Sequence, residues 1–230
     1  MEDREQFSKL AAGAYDTKGD RSAHTAGTDY ILHPNKNFSD HSITTYVHKN
    51  DASHIVIAHR GTDPGSKGGR EDLTSDLAFM AGFGGHTQRM KNRQRKTEDI
   101  VKATNPTTLH LTGHSLGGGT VNHTVANSKL VRSKMTSAHT FNAAANPVFT
   151  NRQKVGSKTR KELKGKVTHH RIENDSVSLG FRANTPFGEV KTYKHPKRKK
   201  RSRLARIAYG SFTPIAKKSL DAHAISNFHP

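Results

Sequence analysis

Apolar positions along the chain fall into short blocks with two different periods. Phe7, Leu10, Ala11, Ala14 and Tyr15 recur at i, i+3, i+4, i+7 and i+8, which predicts an opening helix. Residues 42–48 (SITTYVH) and 54–59 (HIVIAH) read as β-strands, split by Asn50 and Asp51. In the second, Ile55, Val56, Ile57 and Ala58 stand in a row, the pattern of a strand buried on both faces in a parallel sheet. Residues 19–27 are turn-rich, and residues 63–70 (DPGSKGGR) read as a polar loop. Residues 87–103 predict a polar helix with a basic face. Further strands are expected at 109–112, 137–141, 167–172 and 189–193. Strands alternating with helices over 230 residues predict a three-layer α/β sandwich with a mostly parallel central sheet, in one domain.

Composition adds charge to this picture. Lys and Arg total 38 against 19 Asp and Glu, a formal net charge of +19, and only 31% of residues are hydrophobic. Because the apolar residues cluster, we read a folded core with long basic loops. Residues 152–166 carry seven Lys/Arg, and residues 194–206 carry eight, among them Lys194, Lys197, Arg198, Lys199, Lys200, Arg201 and Arg203. Both runs read as loops within the domain. For the second, four readings stay open: a nuclear import signal, a grip on nucleic-acid phosphates, a dock on an anionic membrane surface, or a solvated charge run. The chain has no cysteine, which excludes disulfides, thiolate zinc sites and a cysteine nucleophile. No apolar run approaches a transmembrane span. The polar start MEDREQFSKL is unlike a secretory signal. These features lead us to expect an intracellular protein, nuclear if the basic run is an import signal, or one packaged beside a genome in a virion.

The candidate chemistry lies in LHLTGHSLGGGTV, residues 109–121. Gly113-His114-Ser115-Leu116-Gly117 matches G-x-S-x-G, a strand-to-helix turn that lifts a serine hydroxyl above a sheet and tolerates no bulk two residues to either side. The turn leaves the Leu116 N–H available to an oxyanion. A nucleophilic serine needs a histidine base steered by a carboxylate, following it in the order Ser, Asp/Glu, His. Asp175 follows an expected strand, with Glu173 its near rival. His169 and His170 break the order, His195 sits beside the basic run and His229 lies one residue from the end, which leaves His223.

With these segments in view, the chain resembles the class 3 lipase family of α/β-hydrolases, which includes fungal triacylglycerol lipases and plant phospholipases A1. The likeness rests on IVIAHRGTD (55–63), DLTSDLAF (72–79), GHSLGG (113–118), TFNAAANPV (140–148), HRIENDSVSL (170–179) and DAHAISNF (221–228), in the family's order. The resemblance implies an α/β-hydrolase fold. It implies Ser115 as nucleophile, Asp175 as orienting acid and His223 as base, with Thr62 and Leu116 lining the oxyanion hole. The chain departs from the family at His59, where a phenylalanine is usual, and at Gly119, where alanine is usual. It departs also over residues 63–71, which lack the bulky apolar residues of a triglyceride lipase lid.

The expectation is a serine hydrolase of lipid esters, favouring phospholipid or mono- and diacylglycerol over triglyceride. It works through an acyl-enzyme and needs no metal or cofactor. The 16 histidines read as scattered surface residues, since no HExxH motif is present. The alternatives are an acyltransferase or thioesterase using the same three residues, and a basic nucleic-acid- or membrane-binding protein on an inactive hydrolase scaffold.

Overall fold

Among the described residues, seven strands pair in chain order, β1 to β7. The computed structural model describes residues 3–16, 19–62, 85–144, 155–173, 175, 178, 187–195 and 223–228. β1 (Tyr30–Leu32), β2 (Ile43–His48) and β3 (Asp51–His59) form an antiparallel meander. From β3 onward the pairing is parallel, through β4 (Thr108–His114), β5 (Met135–Phe141), β6 (Val167–Ile172) and β7 (Glu189–Tyr193). The helices are α1 (Asp3–Gly13), α2 (Gly85–Thr104), α3 (Leu116–Asn127), α4 (Lys129–Lys134) and α5 (Ser157–Leu163). This mostly parallel sheet with helices on both faces is an α/β-hydrolase fold.

Because β3 to β6 succeed one another without reversal, right-handed crossovers send the connecting helices to one face. There Ile55, Ile57, Leu109, Leu111 and Met135 pack against Ile100 and Val101 of α2, Val121 and Val125 of α3, Val131 of α4 and Leu163 of α5. The opposite face receives Phe7, Leu10 and Ala11 of α1, together with Tyr46, Val56, Ala58, Phe141, Ile172 and Phe228.

That second face also carries a row of histidines. The Tyr30 hydroxyl lies 2.8 Å from His54 Nε2, which is 3.0 Å from His110 Nε2. His110 Nδ1 lies 2.7 Å from Ser137 Oγ, which is 3.1 Å from His139 Nε2. His139 Nδ1 is 3.1 Å from His170 Nε2, and His170 Nδ1 is 2.9 Å from the Tyr193 hydroxyl. The row runs unbroken from β1 to β7. Phe7 of α1 lies over it, stacked on His139 at 4.5 Å.

The expectation of surface histidines is therefore corrected: His59, His114, His123, His139, His169, His170 and His223 are all buried. Strand alternation turns most of them inward, where neutral imidazoles find partners. His59, at the position of the family's usual phenylalanine, is fully buried at the end of β3, and burial beside Arg93 pushes its pKa down to about 3. A second correction concerns residues 152–166, expected as a loop. Its Ser157–Leu163 stretch is helical and docks Leu163 into the core. A short helix with one buried anchor leaves little periodicity to read. The polar loop at 63–70, the segment 72–79, residues 145–148 and the basic run from Lys197 to Arg203 lie outside the described residues. Lys194 is exposed just past β7.

Candidate active site

β4 ends at His114 and α3 begins at Leu116, so Ser115 alone makes the turn. Its backbone sits at φ 57° and ψ −125°, a conformation that costs a non-glycine residue on the order of 1–3 kcal/mol. The flanking glycines are demanded by close approach. A Cβ on Gly113 would lie 2.7 Å from the Gly117 carbonyl oxygen, and one on Gly117 would overlap the carbonyl oxygen of His59. At Gly119, where the lipase family has alanine, a Cβ would come within 3.3 Å of the Ala144 carbonyl. Ser115 Oγ is buried and has no hydrogen-bond partner among the described residues. The Leu116 N–H opens α3, where the first N–H groups lack intrahelical acceptors and the helix dipole favours negative charge.

Asp175 and His223 meet 48 residues apart in sequence, with His223 Nδ1 lying 3.0 Å from Asp175 Oδ1. A carboxylate only accepts, so Nδ1 carries the proton and Nε2 faces away as the free base. Asp175 stands just beyond the C-terminal end of β6, fully buried, with its Oδ2 accepting the Ser178 N–H at 3.1 Å. His223 Nε2 is buried without a partner among the described residues. The structure thus joins Asp175 to His223 and leaves Ser115 Oγ and His223 Nε2 unbonded to each other. Nucleophile–base contacts of this kind commonly tighten only when substrate binds. Thr62 follows the end of β3 and is half-buried. Ser115, Thr62 and Asp175 all lie past the C-terminal ends of parallel strands, where open α/β sheets place their ligand sites.

Two residues escaped the sequence reading. Tyr15, expected on the face of the opening helix, lies beyond its end at Gly13, and its hydroxyl sits 2.8 Å from His114 Nδ1. Asn142, left-handed at φ 41°, donates to the His223 carbonyl at 3.1 Å and accepts the Ile172 N–H at 2.9 Å. Asn142 lies in the TFNAAANPV segment, but nothing local marks the role of either residue, because each acts through partners remote in sequence. Among the described residues, His114, Asn142, Asp175 and His223 are polar groups buried at this site.

Comparison with known proteins places the chain. A family model, Mbeg1-like, matches residues 21–177, well over half of its length. The chain belongs to the Mbeg1-like family. No curated protein matches it. Among solved structures, this Mbeg1-like chain is similar to a triacylglycerol lipase described as having a serine-protease triad at its catalytic centre. The identity is 15% and the TM-score 0.51, over 95% of this chain and 91% of that one. It is also similar to M37 lipase, at 14% identity and a TM-score of 0.50, over 75% and 67% of the two chains. At such identities the likeness is one of fold. The Mbeg1-like match covers Ser115 and Asp175 and stops short of His223.

Proposed function

We propose that this chain is a serine ester hydrolase acting on lipid esters. The observation that carries the reading is the strained, unpartnered Ser115 hydroxyl at a strand-to-helix turn, in a molecule that also holds a buried His223–Asp175 pair at 3.0 Å. In the reaction, His223 Nε2 takes the Ser115 proton as Oγ attacks the ester carbonyl. Asp175 holds the imidazole in the tautomer that leaves Nε2 free, and stabilises the cation that forms. The oxyanion falls to the N–H groups of Leu116 and Thr62, each such donor worth roughly 3 kcal/mol of barrier. The protonated His223 then hands its proton to the departing alkoxide. Water, deprotonated by the same imidazole, releases the acid from the acyl-enzyme.

Two features support the substrate class. The fold is that of lipases. Residues 63–71 offer no large apolar side chain for an oil droplet, while a net charge of +19 suits an anionic lipid surface, so phospholipid and mono- or diacylglycerol are favoured over triglyceride. The test is hydrolysis of p-nitrophenyl butyrate, followed by a panel of phospholipids and glycerides. Ser115→Ala is expected to lower kcat by about 10⁶-fold, and Asp175→Asn by about 10⁴-fold. A Ser115→Ala protein as fast as the wild type overturns the reading.

A further inference from the structure

The carbonyl oxygen of His223 accepts two hydrogen bonds from side chains, and both donors come from strand ends beside the candidate site. His114 Nε2 lies 2.6 Å from it and Asn142 Nδ2 lies 3.1 Å from it. A carbonyl has two lone pairs and only accepts, so His114 must carry its proton on Nε2. Its Nδ1 is then an acceptor, and the Tyr15 hydroxyl, 2.8 Å away, is placed to donate to it. The same tyrosine hydroxyl packs against the loop after β3, since a Cβ on Gly61 would overlap it. The imidazoles of His114 and His223 are in contact at a centroid distance of 4.7 Å, tilted by 40° to each other. One hydroxyl therefore touches the Arg60–Thr62 loop and the nucleophile turn at once, and reaches the histidine segment through a single imidazole.

We infer that Tyr15 and His114 are positioning residues: the Tyr15 hydroxyl, donating to Nδ1, supports the Nε2–H tautomer of His114 that the His223 carbonyl demands, and His114 Nε2–H, with Asn142, fixes the main chain of His223 so that its imidazole keeps its aim between Asp175 and Ser115. The inference rests on the hydrolase reading above. The need is physical. His223 lies two residues before the short 3-10 turn Ile225–Phe228, and side chains from two other segments hold its main-chain carbonyl. A main chain held only at its neighbours would let Nε2 wander, and a misplacement of about 1 Å costs roughly 10²-fold in rate.

The test uses the full chain and two readouts. The first is turnover of p-nitrophenyl butyrate per active site, with sites counted by the burst of a fluorophosphonate label. His114→Ala is expected to lower kcat by about tenfold to a hundredfold with KM within about twofold, and Tyr15→Phe by a few-fold. His114→Gln, whose amide N–H can stand where Nε2–H stood, recovers most of the lost kcat. A role in stability alone lowers the number of labelled sites and leaves the kcat of each unchanged, which would overturn the inference. The second readout is ¹⁵N NMR of histidine-labelled protein, which does not depend on activity. The wild type is expected to show His114 protonated at Nε2, and Tyr15→Phe, which strips Nδ1 of its donor, to shift the His114 Nδ1 resonance together with the His223 Nδ1–H resonance. Should the wild type hydrolyse no ester and take no label, the hydrolase reading fails while the tautomer still decides the positioning. A His114 protonated at Nδ1 with Nε2 bare contradicts it.

Discussion

On the face covered by the crossover helices, β4 presents Leu109 and Leu111; on the other, the same strand presents His110 and Thr112. Both faces are covered, the second less completely, since His54 and His110 are half-buried, and their chemistry differs. The aliphatic face is non-directional, stabilised by burial at roughly 25 cal/mol per Å² of apolar surface, and nothing in its aliphatic side chains titrates. The histidine face is directional. Each imidazole in its row must stay neutral and keep a compatible tautomer, and burial enforces this. His110 and His139 are pushed down to about 4 and His170 to about 2, by burial first and then by neighbouring cations and histidines. Lys191 acts on His139 and, with Arg4, on His170, while Asp3 opposes the shift at His110. The contrast teaches that one half of this sheet is held mainly by aliphatic packing, with His59 and His169 its buried imidazoles, and the other by a connected network that tolerates no protons. Because α1 covers that second half and Phe228 packs beneath it, the segment bearing His223 depends on the sensitive face.

Four measurements break or sharpen this contrast. The largest effect belongs to the aliphatic face: Leu111→Ala, at a fully buried position, is expected to cost about 2–5 kcal/mol in urea unfolding, with a similar loss at pH 7.5 and pH 5.5. A loss confined to one pH would undo the distinction. Next comes acid. The unfolded chain protonates its histidines near pH 6.5 while the fold holds His139 down to about 4 and His170 to about 2. Unfolding therefore takes up protons below pH 6.5, and stability is full above that value and falls as pH drops toward 4. Between pH 7 and pH 5 each of these two buried imidazoles should contribute roughly 1–2 kcal/mol of loss; a urea midpoint that stays flat over that range contradicts the account. Third, His139→Phe should lose about 1 kcal/mol at pH 7.5 by stranding its neighbours, yet flatten the acid response. Equal acid slopes in variant and wild type would show that the row does not act as argued. The smallest effect is Tyr193→Phe at the end of the row, about 0.5–1.5 kcal/mol for one hydrogen bond; a larger cost would mean that the row is more cooperative than its pairs.

The same contrast explains what could be read from the sequence. The buried run at Ile55–Ala58 and the strand at 167–172 stood out because burial on parallel strands writes itself as local pattern. The three-residue edge strand Tyr30–Leu32 and the short helices at Lys129–Lys134 and Ser157–Leu163 are too brief to show a period. At the site, G-x-S-x-G marked Ser115 because steric need dictates its glycines. Asp175 and His223 could be ordered along the chain but not brought together without coordinates. The histidine row was illegible, since its members are spread from Tyr30 to Tyr193 and only strand register aligns them. Tyr15 and Asn142 were hidden for the same reason.

The hydrolase reading is tested most directly by intact-mass spectrometry after reaction with a fluorophosphonate. The account predicts a single adduct that maps to Ser115, is absent from Ser115→Ala, and forms about 10²-fold or more slowly in His223→Ala. A wild-type chain that takes no adduct, or a Ser115→Ala chain that takes it equally well, would contradict it.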